Sequence, residues 1–345
     1  MSGGGFARRA ALGLLFGLLP VGARAIDCNE PASVLERSAC AVDNVRDQLM
    51  GIDLAYLQVA AALPAAEADA LRMQHTAWAE EIAAMCDVES MAASSRQIDD
   101  SRSQCLGNHF KDWREWLKEY HRRTGRFDVF SRSIMQWNRD RHYEVRVYYP
   151  QLSNPVGSGE RAFNDWAATE AKDYAGELDT LELARAQGVS DQDRKADLHS
   201  MLSREYRIES VGNDLIAVIW DDYAYGAGAA HGIPSTRGTL FSLAAARPLG
   251  AGDVFAANAD WPQRATDLCL PQLAAQIPDT ETGFTPGTVR DVIAEFTSWS
   301  FGPVGATITF DVYTIASYAS GVNECMLPYE VLRPMLNPAL SLGHG

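Results

Sequence analysis

Residues 215–232 read LIAVIWDDYAYGAGAAHG, and this stretch decides the fold of the second half of the chain. Its first six residues form a continuous apolar run, which is typical of a central strand covered on both faces. We interpret Asp221 and Asp222 as the end of this strand, and His231 as the residue whose ring nitrogens order a glycine-rich turn. The alternative is an acid/base or metal site built from these three side chains.

The segments before this strand alternate between strand and helix patterns. Tyr143–Tyr149 alternates apolar with polar residues, which predicts a half-buried strand closed by Pro150. Tyr206 and Ile208 mark a further strand. Between the two, a single helical face is predicted from the spacing of Phe163, Trp166, Ala167, Ala171 and Tyr174.

The segments after the glycine-rich loop complete the pattern. Short strands are predicted at Thr239–Leu243, Thr297–Phe301 and Ala306–Asp311, with a hairpin turn over 301–305. A last helix begins at Pro328, because proline suits the first helical position. Strands mixed with helices, without strict alternation, predict an α+β domain on a mainly antiparallel sheet, which we place at residues 131–340.

Tyrosines are expected to gather near the glycine-rich loop. They add rigid area and a hydroxyl group at binding surfaces, but they are also common in half-buried sheets, so contact and core roles both stay open. The candidate partner-contact residues are Tyr223, Tyr225, Gly226, His231, Gly232, Tyr313 and Tyr318.

The first half of the chain, residues 26–122, is predicted to be an all-α domain stapled by disulfides. Ser33 followed by Glu36 is a capping box that starts a short helix. Three longer helices are predicted from apolar stripes at Val45, Leu49, Ile52, Tyr56 and Val59, at Leu71, Trp78, Ile82 and Met85, and over about Gln97 to Tyr120. Trp78, Trp113 and Trp116 are expected in the core. We interpret the basic segment 121–126 as a linker between the two domains.

The chain begins with the pattern of an export signal. Arg8 and Arg9 precede an apolar stretch, and residues 23–25 read ARA, so residues 1–25 are interpreted as a signal peptide cleaved near Ala25. The apolar stretch is too short to span a bilayer, and no other long apolar run follows. We therefore expect a periplasmic or secreted protein without stable membrane insertion.

The amino-acid composition limits the classes of partner that the protein can bind. The 345 residues suffice for about two domains, and 47% hydrophobic with 22% charged residues is typical of a globular protein. A formal net charge of −15 makes the chain a poor partner for nucleic acid and favours a basic protein.

The cysteines predict structural disulfides. There are six, an even number, which in an exported chain indicates disulfide bonds. Their order suggests pairing of Cys28 with Cys40, of Cys86 with Cys105, and of Cys269 with Cys325. No close C-x-x-C pair supports zinc, so no metal and no cofactor is expected.

The first half resembles the N-terminal domain of LprI-type lysozyme inhibitors. In that family a cysteine is followed by an E-x-x-x-C step, an L-D-x-x-Y helix and a Q-x-x-W helix. The corresponding segments here are Glu36–Cys40, Ile52–Tyr56 and Gln74–Trp78, within a resemblance over about residues 26–120.

The second half is similar to the C-terminal domain of RsiV-type anti-sigma factors and PdaC-type peptidoglycan deacetylases. Their Y-x-x-G-A-H-G loop resembles residues 225–232, where this chain carries extra residues, and their G-x-x-L-x-x-x-D-L-F step resembles 247–255. Their C-terminal motifs Y-x-I-A-x-Y-A-x-G and I-P-Y-x-x-L resemble residues 311–321 and 327–332 of this chain. The resemblance covers about residues 131–335.

Both resemblances imply a link to lysozyme, because LprI-type proteins inhibit it and RsiV-type proteins bind it. The sequence contains no G-x-S-x-G, H-E-x-x-H or P-loop motif, so we expect no enzyme. The favoured hypothesis is a non-enzymatic inhibitor or receptor of a c-type lysozyme. The alternative is a peptidoglycan or glycan-binding accessory protein, and a hydrolase using Asp221, Asp222 and His231 is a third hypothesis.

Overall fold

The computed structural model describes residues 27–31, 33–88, 100–138, 143–185, 200–277, 284–340 and 342. The predicted leader and the predicted start of the fourth helix at Gln97 lie outside these residues. All three predicted disulfides are present, Cys28–Cys40, Cys86–Cys105 and Cys269–Cys325. No helix in the described ranges has the length and apolarity needed to cross a membrane.

The first part is helical, as predicted. Its helices are α1 (Val34–Ala39), α2 (Asp43–Ala61), α3 (Ala65–Met85) and α4 (Asp100–Glu119). The Ser33 hydroxyl accepts a hydrogen bond from the Glu36 N–H at 3.1 Å and so caps α1. Disulfides join Cys28 to Cys40 at the end of α1, and the end of α3 to α4.

Stacked aromatic rings connect these helices to the sheet. The ring centroids of Trp78 and Trp113 lie 4.8 Å apart, and those of Trp113 and Trp116 lie 4.2 Å apart. Trp116 stacks in turn on Tyr148 of the sheet at 5.8 Å. All three tryptophans are buried, which confirms their core role. The helical part therefore shares one core with the strands beneath it.

The main sheet has seven strands in the order in which they occur in the chain. They are β1 (His121–Thr124), β2 (Phe127–Asn138), β3 (Tyr143–Leu152), β4 (Ser200–Val211), β5 (Leu215–Tyr225), β6 (Ile233–Ser242) and β7 (Arg247–Pro248). Every neighbouring pair is antiparallel except β3 and β4, which are parallel and are connected through helix α5 (Ser158–Arg185). The sheet is thus mixed but mainly antiparallel.

Two local expectations were wrong. The basic segment interpreted as a linker supplies the edge strand β1. Strand β3 does not stop at Pro150 but continues to Leu152. Pro150 lies opposite Ser131, whose N–H donates away from β3 to the Tyr120 carbonyl, so this is a non-hydrogen-bonded pair and the proline needs no donor toward β2.

The depth of β3 also differs from the prediction of a half-buried strand. Helices α3 and α4 cover one face and α5 covers the other, so residues such as Val147 and Tyr148 are buried on opposite sides. Strand β5 is buried over Ile216–Trp220, as its apolar run predicts.

A second, three-stranded sheet packs against β5 and β6. It contains β8 (Trp299–Phe301), β9 (Gly305–Phe310) and β10 (Asn323–Pro328) in the order β10-β9-β8. Its helices are α6 (Ala251–Val254), α7 (Trp261–Ala274), α8 (Pro286–Ala294) and α9 (Tyr329–Leu332). The close approach requires Gly238, since a Cβ there would lie 1.8 Å from the Trp299 carbonyl oxygen.

Helix side chains cover the strand edges. The Gln74 side-chain oxygen of α3 accepts from the Ser133 N–H of β2 at 2.7 Å. Asn164 of α5 bonds both the N–H and the carbonyl of Leu152 at the end of β3. Gln272 of α7 and Gln276, which follows the end of α7, do the same for two alternate residues of β10, at 2.8–3.2 Å. These carboxamides replace a neighbouring strand, so the edges are closed to other chains.

The two glutamines that bond the edge of β10 lead to the first prediction. Gln272→Ala with Gln276→Ala removes four hydrogen bonds from the β10 edge and should lower the free energy of unfolding by about 1–3 kcal/mol. The opened edge should also raise self-association. Thermal unfolding and size-exclusion chromatography measure the two effects. Gln263→Ala on α7 is the control, because within the described residues the Gln263 side chain bonds only the Asp267 side chain. Equal behaviour of the two variants would contradict the edge role.

Candidate functional site

Two loops meet at one end of the second sheet and build an aromatic surface. The glycine-rich loop joins β5 to β6 and carries His231, and the loop between β9 and β10 carries Tyr313 and Tyr318. The His231 ring stacks on Tyr318 with centroids 3.7 Å apart and planes 22° apart, and Tyr313 lies 5.6 Å from Tyr318. These three rings are called the aromatic site below.

Hydrogen bonds orient the imidazole ring. His231 Nδ1 lies 3.1 Å from the Gly232 carbonyl, which only accepts, so Nδ1 carries the proton. The Tyr313 hydroxyl then donates to Nε2 over 3.4 Å. The ring nitrogens thus order the turn, in agreement with the structural interpretation of His231.

Tyr313 is held outward by its backbone. Its φ is +68°, in the left-handed region that a bulky aromatic residue rarely adopts, and its side chain is 57% exposed. His231 is also exposed, while Tyr318 is half-buried. Tyr313 therefore combines a strained backbone with an aromatic ring that is exposed to solvent.

The remaining candidate contact residues form the support of the loop. A Cβ on Gly232 would lie 2.2 Å from the Tyr223 ring, so only glycine allows this packing. Gly226 is buried, and its carbonyl accepts from the Ala229 N–H at 2.9 Å in a tight turn. Tyr225 is half-buried on β5 opposite Met201 and makes none of the ring contacts of the aromatic site.

The expectation that Asp221 and Asp222 end their strand was wrong, because β5 continues to Tyr225. Successive residues of a strand face opposite sides, so the two carboxylates point apart. Asp222 is buried and receives two bonds from Arg204, at 2.6 and 2.7 Å, and one from Arg237 at 3.2 Å. Asp221 is half-buried and accepts from Arg207 at 2.9 Å.

The imidazole does not join these carboxylates. In the described part of the chain, His231 bonds only Gly232 and Tyr313 and makes no hydrogen bond to Asp221 or Asp222. The predicted acid/base or metal grouping of the three side chains is therefore not assembled. Near His109, the thiols of Cys86 and Cys105 are joined in a disulfide, so they offer no thiolate to a metal.

Asp311 is a feature that the sequence did not single out. It lies two residues before the exposed Tyr313. Its carboxylate accepts a hydrogen bond from the Thr236 N–H at 3.0 Å. Burial, together with the charges of Asp222 and Asp221, raises its pKa to about 6. Its place at the end of the strand predicted over Ala306–Asp311 was visible in the sequence, but the neighbouring carboxylates come from β5.

Arg204 stabilises the buried side of the site. It is 1% exposed, and its guanidinium lies 3.7 Å from the centroid of the Tyr174 ring on α5. It donates to Asp222 through two nitrogens, which is the strong bidentate geometry. The sequence offers no signal for this pair, because the two residues lie on different strands.

Comparison with known proteins gives a family for one segment. Residues 252–330 match the family described as a protein of unknown function, DUF3298. The segment includes Asp311, Tyr313 and Tyr318 but not the loop that carries His231. No curated protein matches the chain.

Two solved structures are similar to this chain. One, a member of the DUF3298 family from Bacteroides fragilis NCTC 9343, is 19% identical, covers 63% of this chain and 96% of its own, and has a TM-score of 0.45. Another, a DUF3298 family protein from Pseudomonas aeruginosa PAO1, is 14% identical, covers 63% and 98%, and has a TM-score of 0.39.

The two aspartates should differ sharply in their effect on stability. Asp222→Asn leaves the buried Arg204 without its counter-charge and should lower the free energy of unfolding by about 3–5 kcal/mol. Asp221→Asn removes a half-exposed pair and should cost less than about 1 kcal/mol. Chemical denaturation of both variants measures the difference, and similar losses would refute the assignment of Asp222 as the structural partner.

Asp311 should make stability depend on pH. Because its folded pKa lies above the unfolded value, its contribution is present while it is protonated and is lost as the pH rises through about 6. Asp311→Asn keeps an acceptor for Thr236 but does not ionise. The variant and the parent should therefore melt alike near about pH 4, and the variant should melt higher near about pH 7.5. Thermal unfolding followed across this range tests this, and a difference that does not change with pH would contradict it.

Proposed function

We propose that this protein is an exported, non-enzymatic binding protein that captures a basic protein partner, a c-type lysozyme, through the aromatic site. The observation that carries the proposal is the set of stacked rings of His231, Tyr313 and Tyr318, one of them held outward by a left-handed backbone. The resemblance of the second half to lysozyme-binding RsiV-type domains supplies the identity of the partner.

The rings suit protein recognition because they are organised before binding. Tyrosine provides a large contact area with few rotatable bonds, and such residues are frequent hot spots. Stacking of His231 on Tyr318 and the bond from Tyr313 restrict all three rings in the free protein. Less conformational entropy is then lost when the partner binds.

Charge supports a basic partner. The chain carries a formal net charge of −15, and Asp221 and Asp311 lie beside the aromatic site. Such a protein attracts a cationic partner over long range and increases the association rate. The attraction should weaken as salt screens it.

The helical part fits the same proposal through its resemblance to LprI-type inhibitors. Its Cys28–Cys40 and Cys86–Cys105 bonds match the pairing suggested by the order of the cysteines. Disulfides persist in oxidising compartments, which supports export of the protein, with the leader removed near Ala25. We propose that the helical part and the α+β part act together as one unit, since they share the core around Trp116 and Tyr148.

Peptidoglycan binding at the same rings is the second candidate. The stacked pair of His231 and Tyr318 offers a flat apolar face of the kind on which a sugar ring stacks. Binding of this kind should respond little to salt, whereas a lysozyme complex should weaken as ionic strength rises.

The test is inhibition of a c-type lysozyme on a cell-wall suspension by the purified, oxidised protein. We expect dose-dependent inhibition and a complex on a sizing column, both weaker at physiological than at low salt. Tyr313→Ala and Tyr318→Ala should each weaken the complex roughly tenfold or more, as hot-spot truncations do.

Val304→Ala is the matched control, because Val304 is an exposed apolar residue at the turn on the far end of β9. It should bind like the parent. No complex and no inhibition at either salt would refute the lysozyme proposal, and loss of binding in the control alone would refute the aromatic site as its location.

A further inference from the structure

A cavity of 480 Å³ lies between helix α4 and the concave side of strands β1 to β4. It opens because the parallel strands β3 and β4 pair only as far as Val147 and Arg204, although both continue beyond these residues. The volume is in the range of small-molecule sites.

The floor of the cavity is aromatic. Trp116, Tyr148 and Tyr206 line it, and Trp116 is fixed by donating its indole N–H to the Ser131 hydroxyl at 3.0 Å. Burial raises the pKa of the Tyr148 hydroxyl and raises that of Tyr206 to about 12. Both hydroxyl groups are therefore neutral at physiological pH; that of Tyr206 is already bonded to the Ser131 side chain, and that of Tyr148 is available as a hydrogen-bond donor.

Some of the polar groups around the floor lack partners. Among the described residues, the Tyr148 hydroxyl and the Glu205 carboxylate make no hydrogen bond. The Thr124 hydroxyl is buried without one. All three residues line the cavity. Of the three, only the Thr124 hydroxyl is buried away from solvent without a partner, whereas Glu205 is exposed. A ligand with hydroxyl groups offers a partner to all three.

The charges at the mouth nearly cancel. Three arginines line it, and each is already paired: Arg146 bonds Asp112 at 2.8 Å, Arg122 bonds Glu119, and Arg207 bonds Asp221. The lining acids are Asp112, Glu115, Glu119 and Glu205. An anionic ligand would meet four carboxylates and a cationic ligand three guanidinium groups, so this lining favours neither.

We propose that this cavity binds a neutral oligosaccharide. The aromatic floor matches the apolar face of a sugar ring, and the unpartnered hydroxyl and carboxylate groups match its hydroxyls as donors and acceptors. A neutral, polyhydroxylated ring is the chemistry that uses both features and brings no charge of its own into the cavity. The site shares no residue with the aromatic site, so it does not rest on lysozyme binding.

The test is calorimetric titration of the full, oxidised protein with three neutral trisaccharides, maltotriose, cellotriose and tri-N-acetylchitotriose. The anionic trimer of galacturonic acid and the cationic trimer of glucosamine serve as charged probes. We expect at least one neutral trisaccharide to bind and both charged trimers to bind more weakly.

Two conservative variants place the ligand in the cavity. Glu205→Gln weakens a charged acceptor and should lower the affinity roughly tenfold, and Tyr148→Phe keeps the ring but removes the free hydroxyl, with a loss of roughly threefold or more. Glu80→Gln is the control, since Glu80 is exposed on α3 away from the cavity. It should bind like the parent.

Three results would overturn the proposal. The first is no heat of binding with any neutral trisaccharide at millimolar concentration. The second is binding that Glu205→Gln and Tyr148→Phe leave unchanged. The third is binding that Tyr318→Ala abolishes, because the sugar would then occupy the aromatic site. Lysozyme binding is measured separately, so its failure leaves this result intact.

Discussion

The structure depends on one constraint, that the backbone groups along a strand edge need hydrogen-bond partners. The edges of β2 and β3 are met by side chains from α3 and α5, and the edge of β10 by Gln272 of α7 and by Gln276 just after this helix. Each carboxamide offers a donor and an acceptor, so it imitates a neighbouring strand. These contacts also set where the helices dock. Helix α3 lies along β2, and this placement brings the tryptophans of α3 and α4 over Tyr148.

The buried ion pair of Arg204 and Asp222 performs a similar task inside the sheet. It connects β4, β5 and, through Arg237, β6 on the side that faces α5. Because Asp222 faces that side, Asp221 faces the opposite side of β5, near Thr236 and Asp311. The loop that follows Asp311 then carries Tyr313 and Tyr318 against His231.

The molecule presents two separate surfaces with different chemistry. The aromatic site has two exposed rings, takes its tyrosines from the loop that follows Asp311 in the chain and is the surface proposed for a basic protein partner. The cavity beneath α4 is partly open, has a lining of nearly balanced charge and is the site proposed for a neutral sugar. The first depends on the junction of the two sheets, and the second on the junction of the helices with the main sheet. A change at one surface need not alter the other, because they share no residue.

Much of the local structure was determined by sequence alone. The apolar run of β5, the stripes of α2 and α3, the cap at Ser33 and the three cysteine pairs all act over short distances or through a simple order along the chain. Other features were decided only by tertiary structure. Strand β1 replaced a predicted linker because β2 offered it an edge, and Asp222 was removed from the candidate site because Arg204 lies opposite it. The neighbours of Asp311 and the opening between β3 and β4 come from strands distant in the chain, where no local pattern records which side chains will meet.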